Sequence, residues 1–364
     1  MKEEKDFRYN FNQVFSLETN IPYFEGMFHS FRESQDSSRD GESQENSRSR
    51  PLAFRVILDD TLKVSTSGRE RVNLMLFHEP QSETIEFLYP WFKPVCAKLE
   101  FAKAGFEFTF NKRYLTFSNV VAEGWELIDV FRSLLVIYLI RRGMYMLHAA
   151  AIKLNEDGII FPAFGNTGKT TTSWMLSKDQ AEFLTDEFAI LDSEGNCFGL
   201  PCSSLVSRSS AVRFGLELTR KQSLGLFFND LKSKLLSTRF APGGIKIYPD
   251  RLFKICRSAK ITKLAIIQNG LDSVQSLSPL ETVMRIKAIQ DYEFGWKANP
   301  YVLALSFFTG LDLTALSAKE NEFLRNFASR VVRDQYLISS SSGEHYKTIL
   351  NILGETKVNQ PAVS

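Results

Sequence analysis

Apolar and polar residues alternate in short runs over the first third of the chain. Positions 52–58 (L-A-F-R-V-I-L), 72–77 and 106–110 (F-E-F-T-F) carry the two-residue period of half-buried strands, and an aromatic-rich stretch over 7–31 precedes them. Between these, positions 33–50 hold no apolar side chain, so nothing offsets the entropy of ordering and a disordered loop is expected. The period then changes. Trp125, Leu127, Ile128, Phe131, Leu134, Leu135 and Tyr138 recur at three- and four-residue spacing, predicting a helix over 123–142 that stops at Arg141, Arg142 and Gly143. A strand over 144–154, a turn at 155–158 and a second strand over 158–164 follow. A loop that short pairs positions whose numbers sum to about 311, which sets His148 opposite Ala163. Towards the C-terminus the pattern predicts helices over 281–292, 318–336 and 346–353, with a serine-rich break at 339–343.

The second strand runs into Ala163-Phe-Gly165-Asn166-Thr167-Gly168-Lys169-Thr170-Thr171 and a helix-compatible run over 170–177. Glycines at these places let backbone N–H groups curl around phosphate oxygens, and the following helix N-terminus adds partial positive charge. Lys169 then reaches the β- and γ-phosphates and the Thr170 hydroxyl serves Mg²⁺. Position 163 is Ala where the full G-x-x-x-x-G-K-[ST] pattern has Gly. Seventeen residues after Lys169, a strand read over 183–191 carries the pair Asp186-Glu187, a carboxylate source for Mg²⁺ or for the proton of an attacking hydroxyl. That spacing leaves room for one helix and a direct return, so both motifs fall at the same sheet edge. Asp192-Ser-Glu-Gly195 spells the D-x-x-G of a GTPase switch, but no guanine-reading N-K-x-D is present, and a hairpin turn is expected there.

His148-Ala-Ala-Ala-Ile152, the hairpin, Gly165-Asn-Thr-Gly168-Lys169-Thr170 and Thr185-Asp186-Glu187 together resemble the core of the HPr kinase-like family, which includes HPr kinase/phosphorylase, kinases of lasso-peptide precursors and, more distantly, ATP-dependent phosphoenolpyruvate carboxykinases. The likeness spans roughly 141–201. It implies an α/β P-loop fold with a mixed sheet, the nucleotide at the sheet edge, and an N-terminal domain of variable design. By that resemblance Gly165, Gly168, Lys169 and Thr170 bind phosphate and metal, Asp186 is the catalytic acid/base or a metal ligand, and His148 lines the active site. The family usually has Asp-Asp where this chain has Asp186-Glu187. Its downstream Leu-Glu-x-Arg-Gly segment has a loose counterpart at 236–244 without the glutamate, leaving Arg239 as a candidate for stabilising transferred phosphate. The sequence carries no recognisable counterpart of the Arg/Lys/His set with which carboxykinases hold a carboxylate substrate and second metal.

Composition adjusts this picture in two places. The 364 residues carry 44 Lys+Arg against 42 Asp+Glu, a net +2 that argues against a general nucleic-acid binder. Yet positions 208–263 hold thirteen Lys or Arg against three acids, a local +10 that reads equally as a solvated face or a surface for phosphate or acidic peptide. The four cysteines form no C-x-x-C pair and read as free thiols, and neither a signal nor a membrane span is evident, so a cytoplasmic protein is expected.

The expectations are therefore a β-rich N-terminal accessory domain over 1–143, an α/β P-loop domain over 144–355 and a flexible tail over 356–364. The catalytic candidates are Asp186, His148 and Lys169. ATP would be bound by Gly165, Asn166, Thr167, Gly168, Lys169, Thr170 and Thr171, and Mg²⁺ by Thr170, Asp186 and Glu187. The expected activity is transfer of the γ-phosphate of ATP to a hydroxyl, a serine of a protein or peptide or else a small molecule. The alternative is a nucleotide-binding regulatory module without transfer. No nucleic-acid or membrane partner is expected, and self-association stays open.

Overall fold

A computed structural model describes residues 7–11, 14–21, 24, 52–65, 67–71, 75–79, 83–89, 94–102, 105–121, 126–179, 181–200, 202, 204–206, 208–216, 219–220, 223–224, 226–228 and 245–358. The loop expected at 33–50 and the candidate Arg239 lie outside them. The fold is mixed α/β with two large mixed sheets. It divides into two compact units, one of Met1–Met146 with Gln290–Leu324, the other of Leu147–Ile289 with Arg325–Ser364. The first boundary falls near the expected Gly143, but 290–324 returns to the first unit, so the second is not the continuous 144–355 segment that was expected.

The first unit begins with β1 (Phe7–Phe11), β2 (Phe15–Thr19), β3 (Leu52–Leu58), β4 (Glu70–Arg71), β5 (Leu76–His78), β6 (Thr84–Tyr89), β7 (Val95–Ala102) and β8 (Gly105–Phe110). They form one sheet in the order β1-β2-β3-β8-β7-β6-β5-β4. Alternation explains the faces: Phe7, Tyr9 and Phe11 are buried while Arg8 and Asn10 are exposed. Helices α1 (Lys112–Val121) and α2 (Leu127–Arg141) follow. The amphipathic stripe expected of α2 widens into burial on every side over Leu134–Ile140, because that run has no polar position to turn to water apart from the tip of Tyr138. The Tyr138 hydroxyl donates to Ala102 O at 2.8 Å, and the Phe131 ring meets Phe54 and Phe106 edge-on. At its end Gly143 N donates to Ile140 O and Met144 N to Leu139 O, the paired bonds of a glycine-terminated helix.

The second unit is built from β9 (Tyr145–Leu154), β10 (Asp157–Pro162), α3 (Lys169–Asp179), β11 (Glu182–Thr185), β12 (Phe188–Leu191), β13 (Asn196–Gly199), β14 (Ser204–Val206), α4 (Arg208–Phe214), β15 (Ile245–Ile247), β16 (Ser258–Asn269), β17 (Ser273–Ser276) and α5 (Pro279–Glu293). The chain returns to the first unit through α6 (Pro300–Thr309) and α7 (Leu313–Asn326), then closes the second with β18 (Asp334–Ser340) and α8 (His345–Val358). The helix expected over 318–336 is thus corrected: five residues of wider π geometry, Phe327–Val331, end it, and Tyr336 lies in a strand whose burial alternates at first and then becomes continuous. Helix α8 runs to Val358, past the expected start of the tail at 356. No single helix among the described residues is long and apolar enough to cross a membrane.

The sheet order is β10-β9-β12-β13-β16-β18-β17, with β11 also on β9 and β10 also on β16. The register Asp157↔Leu154 to Pro162↔Ala149 is the expected sum of 311. Strand β10 is parallel to β16, and β16 to β18, so the C-terminal ends of all three point to one edge. Helix α3 is pinned between two apolar clusters. Leu176 packs with Ala150, Phe161, Ala163, Ile267 and Ile349, and Trp174 with Phe183, Ala211 and Phe214. Rings at 4.8 Å (Phe214) and 5.4 Å (Phe253) flank Trp174.

Candidate active site

Between β10 and α3 the chain makes a tight loop. Asn166 has φ 61° and Gly168 φ 99°. The first suits Asn, whose short polar side chain tolerates the left-handed region, and the second requires Gly. Ala163, the departure from the full glycine pattern, is explained by packing: its φ is not positive and its methyl is buried in the cluster that holds Leu176. Nothing at that position requires glycine. Gly168 O accepts from Thr172 N at 2.8 Å, starting α3 and leaving the N–H groups of its first turn without helical partners. Lys169 is only 7% exposed, and its Nζ donates to Ala163 O at 2.9 Å and Phe164 O at 3.1 Å. Thr167 Oγ1 donates to Phe164 O at 2.7 Å. Gly165 and Asn166 are exposed, as is the Phe164 ring.

The acidic pair does not lie within one strand, as expected over 183–191, but in a bend between β11 and β12. Thr185 makes that bend: its hydroxyl donates to Leu200 O at 3.0 Å and accepts from Glu187 N at 3.4 Å and Phe188 N at 3.3 Å, a local alternative to ladder pairing. Asp186 is buried and accepts a hydrogen bond from the Ser204 hydroxyl on β14. Burial pushes its carboxyl up to about 6, while the Ser204 hydroxyl, the Lys169 charge and the Thr170 hydroxyl pull it down. Asp186, Lys169 and Thr170 therefore share one electrostatic environment. The Glu187 side chain is half-buried beside them in sequence.

Strand directions account for this convergence. Since β9 is antiparallel to both β10 and β11, the start of β9 lies at the edge where β10 and β11 end. Ala149 faces Pro162 on one side, and on the other its N–H donates to Glu187 O at 3.2 Å. His148, one residue earlier and buried, thus occupies the strand position between the start of the loop and the acidic bend. Thr171 follows Thr170 in the first turn of α3.

Two residues at this edge escaped the sequence reading. Ser204 carries no motif signal. His345, the first residue of α8, is fully buried, and its Nδ1 lies 3.6 Å from where a Cβ on Gly168 would stand. Its Nε2 is 2.9 Å from Gln268 O. A carbonyl only accepts, so Nε2 carries the hydrogen and, in the neutral ring, Nδ1 is a lone pair. Among the described residues that atom has no hydrogen-bond partner, a cost of about 1–3 kcal/mol for a buried acceptor. Rarity was its only sequence signal, the chain having four histidines. Of the basic segment, Arg213, Arg220, Arg251, Arg257 and Lys260 are exposed, Lys254 pairs with Glu182 at 2.5 Å and Lys263 with Asp157 at 3.5 Å. The Asp192 turn is a hairpin between β12 and β13, closed by Asp192 Oδ1 accepting from Asn196 N at 2.8 Å.

Among the described residues no group of three or more His, Cys, Asp and Glu is placed to hold a metal ion alone. The donors present, a threonine hydroxyl and a buried carboxylate within reach of one another, fit a hard cation such as Mg²⁺, which takes one or two carboxylates from protein and the rest of its shell from phosphate and water. No protein-family model matches the chain, and a comparison with curated proteins finds no match.

Proposed function

We propose that this chain is an ATP-dependent phosphotransferase of HPr kinase-like architecture that transfers the γ-phosphoryl group to a hydroxyl, a serine of a protein or peptide, in the cytoplasm. One observation carries the reading: the glycine loop with its helix N-terminus and the buried Asp186 meet at one sheet edge, with the Lys169 charge and the Thr170 hydroxyl both acting on the carboxylate. The residues divide the work by their chemistry. The first-turn amides of α3 and the loop amides from Gly165 to Thr171 receive phosphate oxygens. Lys169 leaves the carbonyls of Ala163 and Phe164 for the β- and γ-phosphates, exchanging two neutral acceptors for charged ones. Thr170 and Asp186, with Glu187 alongside, hold Mg²⁺, which when bound neutralises phosphate charge.

Asp186 is also suited to take the proton. Ser204 fixes its Oδ2, and an elevated pKa keeps it ionised yet basic at neutral pH. The acceptor oxygen forms a bond to γ-phosphorus, the bond to the ADP oxygen breaks, and the hydroxyl proton passes to Asp186. His148 lines the site. Titration of ATP into the protein by calorimetry, with and without Mg²⁺, tests the binding half of the reading. Saturable one-to-one binding is expected, weakened about tenfold or more in Lys169→Ala by loss of a charge-assisted contact. No saturable binding by the unsubstituted protein ends it.

A further inference from the structure

We propose that His345 is a positioning residue of the nucleotide site, a buried strut between the end of β16 and Gly168 that holds the glycine loop in its anion-receiving form. The ligand half of this inference rests on the nucleotide reading above; the loop half does not. The topology brings the strut into place. Strands β10, β16 and β18 are parallel neighbours, so the glycine loop after β10, the turn at 270–272 after β16 and the turn at 341–344 after β18 gather at one edge. The turn after β16 anchors the last turn, since Asp272 Oδ1 accepts from Ser341 N at 2.7 Å and Ser341 Oγ at 3.0 Å, and on the strands themselves Gln268 Nε2 donates to Ser339 Oγ at 3.0 Å. From that anchor the chain delivers His345 onto Gly168, with Gly343 O 3.7 Å from the same Cβ position.

The choice of histidine needs a reason that volume does not supply. Phe or Leu would fill the space without burying a polar atom, and here Nδ1 is buried with no partner among the described residues. What the imidazole adds is the Nε2–H bond to Gln268 O, which fixes the ring plane against Gly168. Gly168 sits at φ 99°, a strained setting for any residue with a side chain, and its carbonyl starts α3 through Thr172 N. A ring held rigidly on that peptide keeps the left-handed turn closed and the amides of Gly168, Lys169 and Thr170 aimed outward. In the ligand-free protein this makes the loop pre-organised, and affinity gains from ordering already done.

The test compares His345→Gln, whose amide can donate to Gln268 O, with His345→Phe, which fills the volume without a donor, and with His345→Ala. Amide hydrogen exchange of the loop peptide over 163–172 is read without ligand, and binding of N-methylanthraniloyl-ATP with Mg²⁺ is read by fluorescence. Thermal midpoints show that each variant folds. Faster loop exchange and at least tenfold weaker binding are expected in the Phe and Ala variants, with substantial rescue of both in the Gln variant. Loop exchange and binding in His345→Phe equal to the unsubstituted protein, or no rescue by Gln, overturn the strut. If the unsubstituted protein binds no nucleotide, the kinase reading falls, and the exchange comparison still decides whether His345 orders the loop.

Discussion

At Asp186 three neighbours pull the carboxyl down and burial pushes it up, and burial wins, to about 6. Two measurements follow from the sign. The proposed phosphotransfer makes Asp186 the base, which must be ionised to act, so kcat/KM is expected to rise with pH through an acid limb near 6. Ser204→Ala removes a donor to the ionised carboxylate and moves that limb to higher pH; an unmoved limb separates Ser204 from the acid. The second concerns stability. The folded carboxyl titrates above its ordinary 3.8, so the folded state binds the extra proton between these values and loses relative stability as pH rises through that window. Asp186→Asn removes this penalty and raises stability at pH 7.5 by on the order of 3 kcal/mol, fading towards pH 4, in paired thermal melts. At the residue scale the sequence disclosed what local pattern carries. His148 was placed by register arithmetic because a two-residue hairpin fixes the pairing, whereas Ser204 and His345 reach the edge through long-range topology that no local period encodes.

Elements were legible where one period ran uninterrupted. β3 matches the alternation at 52–58, and β9, β10 and α3 match theirs within a few residues. The reading over 183–191 failed because the Thr185 hydroxyl satisfies two backbone N–H groups and breaks the strand. That break is what sets Asp186 apart from the ladder, as local rules tend to give way at working positions. Over 318–336 the helical pattern of α7 ran on into β18 with no proline or glycine to mark the change. Strand β10 offers a test at this scale. A Cβ on Gly158 would stand 2.5 Å from Lys260 O, backbone that cannot turn aside. Gly158→Ala therefore forces β10 off β16, where the register shifts, and costs about 1–3 kcal/mol in denaturant unfolding. A neutral substitution would show that this pairing does not hold the strand that carries the glycine loop.

For the whole molecule, the balance of +2 hides the +10 over 208–263, where Arg213, Arg220, Arg251, Lys254, Arg257 and Lys260 are exposed and ion pairs join Lys254 to Glu182 and Lys263 to Asp157. The return of 290–324 to the first unit was not legible, since chain order alone does not report which core an apolar helix such as α6 joins. What the molecule as a whole achieves is to end β10, β11 and β18 and begin β9 at a single edge, so that residues from 148 to 345 converge there. The central claim is that this edge transfers phosphate to a hydroxyl. Incubation of the full chain with Mg²⁺, γ-labelled ATP and a library of serine-containing peptides measures it directly. Label on serine is predicted from the unsubstituted protein, with Asp186→Asn still binding ATP but at least about a hundredfold slower in transfer, the usual scale of a lost proton acceptor. ATP bound with no label on any serine, or undiminished labelling by Asp186→Asn, would contradict the account.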